Sequence, residues 1–159
     1  MIFPDYHCKK VKGDSGMKEH TIALLTECEA GLKMATGSME QTLPRLSDPG
    51  FKTMFQDYYT KHAKLQEECR RQLKEQQKED DQYEKEPPLI AKFMSDLKIA
   101  KCEDMGDVAD FYTDGCNMGM KTIAKCLNKY MQASEESISL ARKVIKMEQH
   151  FMEDLRAYL

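Results

Sequence analysis

The chain ends, from Ser134 to Leu159, in SEESISLARKVIKMEQHFMEDLRAYL. A serine followed by two glutamates is typical of a helix start, because the hydroxyl caps free backbone N–H groups and acids favour the positive end of the helix dipole. Inward positions then recur in a seven-residue repeat, at Ile138, Ala141, Ile145, Glu148, Met152, Leu155 and Leu159. This repeat predicts an amphipathic helix that packs in a left-handed bundle.

Three further segments have the same helical spacing, so the sequence predicts four long helices. The first spans 17–43 and ends at Pro44, the second starts at Pro49 behind the capping oxygen of Asp48, and the third starts behind Asp104. The predicted inward positions are Ile22, Leu25, Cys28, Leu32, Ala35 and Met39 in the first helix, Phe51, Phe55, Tyr58, His62, Leu65 and Cys69 in the second, and Val108, Phe111, Gly115, Met118, Thr122 and Cys126 in the third.

The composition favours one soluble, all-α domain. The 159 residues are 41% hydrophobic and 32% charged, with only 8 glycines and 5 prolines, which excludes a mostly β fold and disorder along the whole length. The net charge of -3 comes from 24 basic and 27 acidic residues that are well mixed, which disfavours nucleic-acid binding. No apolar run is long enough to span a membrane, so we expect a cytoplasmic protein.

Two segments stand outside the four helices. Residues 1–16 lack periodicity, and we expect a disordered tail or a miscalled start, with the bundle formed by residues 17–159. A charged helical arm follows Cys69 and frays toward Pro87. Beyond it lies a predicted short connector helix, between helices two and three, with its apolar positions at Leu89, Ile90, Phe93, Met94, Leu97 and Ala100.

Cysteines and glycines within the helices are interpreted as packing residues. The six cysteines include no CxxC pair, and we expect reduced thiols, of which Cys28, Cys69 and Cys126 fall on apolar faces. Gly115 and Gly119 form a pair of small residues one turn apart, which predicts the close approach of a neighbouring backbone.

Four polar residues occupy inward or bordering positions, and they are the candidate site. Glu148 and His62 interrupt apolar faces, while Glu29 and Asp114 border the inner faces of helices one and three. Glu29 lies 14 residues before Leu43, and His62 and Glu148 each lie 14 residues after the cap of their helix, so these three side chains are expected near the middle of the bundle. Asp114 reaches nearly the same layer.

These four residues allow two interpretations. A divalent metal, iron or manganese, could be held by Glu29, His62, Asp114 and Glu148 from four helices. Alternatively, Glu148 pairs with His62 as a structural cluster, and Glu29 and Asp114 turn toward solvent. The sequence has no glycine-rich phosphate loop, GxSxG or HExxH motif that would indicate another chemistry.

The order of helices, together with DFYTDGCNMGMKTIAKCLNKY and SLARKVIKMEQHFMEDLRAYL, resembles a group of uncharacterised small bacterial ferritin-like four-helix-bundle proteins. The di-iron branch of that superfamily has lone glutamates on two helices and ExxH on the other two. The resemblance implies that Glu29 and Asp114 take the positions of the lone acids, His62 that of one ExxH histidine and Glu148 that of one ExxH glutamate. Tyr59 and Phe151 stand where the remaining ExxH residues would be, so the resemblance implies a mononuclear or vacant site.

Two functions are therefore expected. The first is a non-catalytic, structural or stress-related interaction protein that self-associates. The second is a metal-binding bundle with oxidoreductase potential, which uses the four candidate residues.

Overall fold

The computed structural model describes residues 13–77, 102 and 104–159, and these residues form an all-α fold without strands. Helix α1 spans Gly13–Thr42, α2 Pro49–Gln77, α3 Met105–Lys129 and α4 Glu135–Leu155. Short 3-10 turns follow α1 at Leu43–Arg45 and α4 at Arg156–Tyr158. The prediction of four long helices is confirmed.

The helix starts follow the local signals of the sequence. The backbone N–H of Phe51 donates to Asp48 Oδ1 at 2.7 Å, so Asp48 caps α2 as predicted. Asp104 and Asp107 form a reciprocal capping box at the start of α3. The Ser134 hydroxyl accepts from the backbone N–H of Ser137 at 3.3 Å. These starts could be predicted because a cap involves residues only a few positions apart.

Contacts between helix ends determine their directions. The start of α1 meets the start of α4, where the Ser134 N–H donates to Thr21 Oγ1 at 2.8 Å. The end of α1 meets the start of α3, where Thr42 and Tyr112 hydroxyls are 2.8 Å apart. Helix α2 starts beside the end of α4 and runs toward its start, since Arg71 on α2 binds Glu136 at 3.0 Å. Helices α2 and α3 are therefore parallel.

The four helices pack in two tight antiparallel pairs, α1 with α2 and α3 with α4. Their shared core contains three phenylalanines, Phe51, Phe55 and Phe151, and a set of aliphatic side chains that includes Leu24, Leu25, Leu32, Leu140, Val144 and Leu155. Burial of such side chains contributes about 1.5–3 kcal/mol each, which makes this core the main source of stability.

The predicted faces of α1 and α2 are largely correct, but those of α3 and α4 are only partly correct, because each helix is turned slightly from the predicted orientation. In α4, Val144 and Phe151 are buried, whereas Ile145 and Met152 are only half-buried. In α3, Cys116 is buried and its neighbour Gly115 is half-buried. Both helices carry two adjacent apolar stripes, and packing against two neighbours selects one of them. The seven-residue repeat of α4 is therefore confirmed at Ala141, Glu148 and Leu155, whereas Ile145 and Met152 give way to Val144 and Phe151 in the core.

Several predictions concern residues that lie outside the described part of the chain. These are the tail over residues 1–12 and the connector helix around 89–100. Helix α1 begins at Gly13, earlier than the predicted start at Met17. Within the described ranges, no helix is long and apolar enough to cross a membrane.

Candidate functional site

The candidate site is centred on a contact between α2 and α4. His62 Nε2 lies 3.0 Å from Glu148 Oε1. His62 is 1% exposed and Glu148 9%, so both groups are held in the interior of the bundle. An isolated charge at this depth would cost several kcal/mol, and the contact supplies the partner that each group requires. The predicted meeting of these two side chains is confirmed.

The hydrogen bonds of His62 define where its protons lie. Nδ1 is 2.7 Å from the carbonyl oxygen of Tyr58, one turn earlier on the same helix. A carbonyl oxygen only accepts, so Nδ1 carries a proton, and the remaining proton lies between Nε2 and the Glu148 carboxyl group. The pair is therefore an imidazolium with a carboxylate, or a neutral imidazole with a carboxylic acid.

Two opposing effects act on the pKa of His62. Burial disfavours the imidazolium and by itself lowers the pKa. The hydrogen bond to Glu148, the negative charge of that carboxylate and the Tyr58 carbonyl raise it, and they prevail, so the pKa of His62 lies above its ordinary value of 6.5. The contact with Glu148 therefore favours the protonated form of His62 more than water does.

A thiol from a third helix joins the pair. Cys116 on α3 donates a hydrogen bond to Glu148 and is buried. Burial, the charge of Glu148 and this hydrogen bond all raise the pKa of Cys116 far above its usual range. The thiol therefore stays protonated and acts as a donor to the carboxylate, since a low pKa would be needed for a nucleophile.

Aromatic rings surround the polar pair on its α4 side. Phe151, one turn after Glu148, stacks on Tyr58 with ring centroids 4.5 Å apart and meets the His62 ring edge-on at 5.8 Å. The Tyr58 hydroxyl donates to Asp154 at 2.6 Å, closer to the end of α4. These contacts fix the side chains of both helices and exclude water from one side of the pair.

The other two predicted ligands do not join this pair. Glu29 accepts from Arg70 Nε at 3.1 Å and from Gln66 Nε2 at 3.3 Å, which places it one to two turns along α2 from His62. Asp114 is exposed on the outer side of α3. Glu29, His62 and Glu148 are each 14 residues from an end of their helices, which predicted one common height. In the structure, α1 is shifted along the bundle relative to α2. The shift separates Glu29 from His62.

Gln66 is a buried polar residue that the sequence interpretation missed. It is 7% exposed, accepts from the Thr36 hydroxyl at 3.0 Å and donates to Glu29. Leu65 beside it, the predicted inward residue, is half-buried. The signal in the sequence was the spacing of four between His62, Gln66 and Arg70, which places three polar groups along one stripe of α2.

A cavity of about 70 Å³ opens beside the pair, between α1 and α3. His62, Glu148 and Cys116 line its inner end, and small side chains line its walls, including Gly31, Ala35 and Ser38 on α1 and Gly115 and Gly119 on α3. No described atom lies within 4 Å of a Cβ built at Gly115 or Gly119. The predicted close backbone approach at these glycines is therefore wrong among the described residues. The sequence signal for the cavity was the concentration of small residues.

The remaining buried cysteines belong to the core. Burial is the main cause that raises the pKa of Cys69 to about 12 and of Cys126 to about 11, and it raises the pKa of Cys28 well above its usual range. The five cysteines of the described residues are all free thiols, in agreement with the expected reduced state.

A metal ion in a protein needs several ligand side chains that lie close together. Over residues 16–77, 102 and 104–159, no three His, Cys, Asp or Glu side chains lie close enough together to hold one. Two of the four predicted ligands are adjacent, which does not fit a centre built from four helices. Metal binding itself stays a prediction.

Comparisons with known proteins identify no relative. The chain matches no protein family, no curated protein and no solved structure.

Proposed function

We propose that this protein is a non-catalytic helical bundle of ferritin-like architecture, a structural or stress-related interaction protein that self-associates. The observation that carries the proposal is the internal satisfaction of the candidate site. Nε2 of His62 pairs with Glu148, Nδ1 of His62 donates to the Tyr58 carbonyl, and the Cys116 thiol interacts with Glu148. No buried side-chain nitrogen or oxygen in the described part of the chain lacks a partner. A site organised in this way stabilises the fold without a ligand.

The ferritin-like architecture is supported by the connectivity of the helices. Parallel α2 and α3 require one long crossover, and among four-helix bundles a single long crossover is the arrangement of ferritin-like folds. Bundles with short loops throughout have neighbouring helices that alternate in direction.

Self-association is supported by apolar side chains exposed at both ends of the bundle. Met17 is 50% exposed and Met131 72%, and His20 binds the backbone of Gln132 between them, so both methionines lie at one end. Met105 and Leu159, at 38% and 63%, lie at the opposite end. Exposed apolar groups gathered at an end favour contact between copies, because contact removes their surface from water.

Light scattering coupled to gel filtration tests this proposal. The double variant Met17→Lys and Met131→Lys should reduce the mass measured for the wild type to that of the monomer, because lysines disfavour burial of that end. Lys64→Met exchanges the same two residue types on the exposed face of α2, away from both ends of the bundle. It serves as the matched control. A wild type that is monomeric at all concentrations contradicts self-association.

A second candidate function is the metal-binding bundle with oxidoreductase potential. One observation favours it: Nδ1 of His62 donates to a backbone carbonyl and directs Nε2 toward a carboxylate at the cavity, an orientation common among histidines that bind metals. Elemental analysis of protein purified without chelator tests it. Stoichiometric iron or manganese that is lost in His62→Ala would support this function, and its absence from both proteins contradicts it.

A further inference from the structure

The groove between α1 and α3 has walls that leave room for an occupant. We define the α1–α3 groove by Gly31 and Ala35 on α1 and Gly115, Met118 and Gly119 on α3. A glycine in the middle of a helix costs about 1 kcal/mol relative to alanine. At Gly115 and Gly119 that cost is not offset by any described atom that would meet a Cβ. Something outside the described residues is therefore expected to use the space.

The lining of the groove indicates an apolar occupant. Phe111 and Met118 on α3 and Met34 on α1 are half-buried along it. The cavity between the walls measures about 70 Å³, which is smaller than the roughly 150 Å³ cavity that accommodates benzene. Its size suits individual apolar side chains that enter from outside better than a separate organic ligand.

The chain itself arrives at this groove. Helix α2 ends at Gln77 at one end of the bundle, and α3 starts at Met105 at the other, so the chain between them has to join opposite ends. At the end of that crossing, the carbonyl oxygen of Cys102 accepts from Arg45 Nη2 at 2.6 Å. Arg45 ends the turn after α1, so the chain enters α3 from the α1 side.

We propose that the α1–α3 groove is the docking site of residues 89–100 of the same chain. The apolar positions of that segment, Leu89, Ile90, Phe93, Met94, Leu97 and Ala100, share one helical face. As a helix the segment would be about 18 Å long, which equals the length of α3 from Phe111 to Ile123 along the groove. Cys102 lies two residues after the segment, and its thiol contacts the carbonyl oxygen of Asp107 at 3.8 Å. Two extended residues span about 7 Å, so the segment can end at the height of Phe111, where the groove begins.

This arrangement accounts for three observations together. The segment gains a place to bury its apolar face, the groove gains the side chains that its glycines make room for, and the crossover gains a path on the side where Cys102 is bound. The competing occupants are a second copy of the chain and a separate apolar molecule, and the experiments distinguish both from the segment.

The sign of a glycine substitution tests the proposal. With the segment docked, the double variant Gly115→Ala and Gly119→Ala should lower the melting temperature by about 2–4 °C, because the added methyl groups meet its side chains. In a background with Phe93→Ser and Leu97→Ser, the same alanines should raise the melting temperature, because helix propensity then acts alone. A rise in both backgrounds overturns the proposal. A fall in both also overturns it, because the occupant is then not this apolar face.

Methyl NMR on the full chain gives a measurement that does not depend on stability. In protein with labelled methionine, leucine and isoleucine methyl groups, the Met118 methyl should show contacts with Leu97 or Ile90. A sample mixed from two differently labelled proteins separates contacts within a chain from contacts between copies. Contacts that occur only between copies, or no contacts at all from Met118 to the segment, overturn the proposal.

Discussion

The α2–α4 seam and the α1–α3 groove lie on opposite sides of one bundle and are built on different rules. In the seam, Phe151 and Tyr58 stack at 4.5 Å, and His62 and Glu148 fill the interior with a satisfied polar pair. In the groove, glycines and an alanine leave a cavity between the two helices. Four similar amphipathic patterns therefore do not produce four similar interfaces, because side-chain size at each position determines whether the space between two helices is filled.

Polar residues are also arranged differently in the two halves of the bundle. The seam can bury an ion pair because aromatic rings keep water away on one side and Tyr58 and Cys116 supply further hydrogen bonds. Glu29, on the other half of the bundle, is bound to Arg70 near the surface. A buried carboxylate therefore stabilises the fold only where neighbouring groups satisfy its hydrogen bonds, as they do at Glu148.

Truncation of one phenylalanine in each region gives the sharpest contrast. Phe151→Ala should lower the free energy of unfolding by about 3–5 kcal/mol, because Phe151 is 1% exposed and its loss leaves a cavity in the seam. Phe111→Ala in the half-buried groove should cost less than half of that. Urea unfolding of both variants measures the difference. Equal losses would mean that other side chains, such as those of the proposed docked segment, cover Phe111 as completely as the seam covers Phe151.

Removing one partner of the His62–Glu148 pair should have the next largest effect on the free energy of unfolding. His62→Ala leaves Glu148 without its partner and should destabilise the protein by about 3 kcal/mol. Replacing both residues by leucine should recover most of that loss, because two apolar side chains of similar volume carry no desolvation cost. Thermal and urea unfolding of the single and double variants test the pair. If the double variant is less stable than His62→Ala, the seam needs the charges themselves.

The dependence of stability on pH should be the smallest of the three effects. Because the folded-state pKa of His62 is raised, the stabilisation is fully present below the unfolded-state pKa of about 6.5 and is lost as pH rises through the folded-state value. The urea midpoint should therefore decrease with rising pH above about 6.5. His62→Gln, which retains a donor without titrating, should lack this decrease. The same decrease in that variant would assign the effect to another group.

The sequence predicted best those contacts that depend on neighbouring residues or on the cost of a buried charge. The caps at Asp48, Asp104 and Ser134 were predicted because each lies within a few residues of the group it binds. The contact of His62 with Glu148 was predicted because a charged residue on an apolar face requires a partner at the same height.

The misses arose where helices shift or rotate relative to one another. Asp114 was placed at the core border, but α3 is rotated so that Cys116 reaches Glu148 in its place. Glu29 was expected at the height of His62, but the shift of α1 brings it to Gln66. A helix that rotates by one residue position, or shifts by one turn along the bundle, is itself unchanged. The pattern within one segment therefore cannot predict such a movement.

The sequence by itself determined four amphipathic helices, their starts, and the need for a partner at His62 and Glu148, because these follow from local hydrogen bonding and from the cost of an unpaired charge in an apolar interior. Only the tertiary structure decided the rotation of α3 and α4, the parallel course of α2 and α3, and the difference between the α2–α4 seam and the α1–α3 groove. Those features depend on how side chains from separate helices fill shared space, and that volume exists only once the helices are packed together.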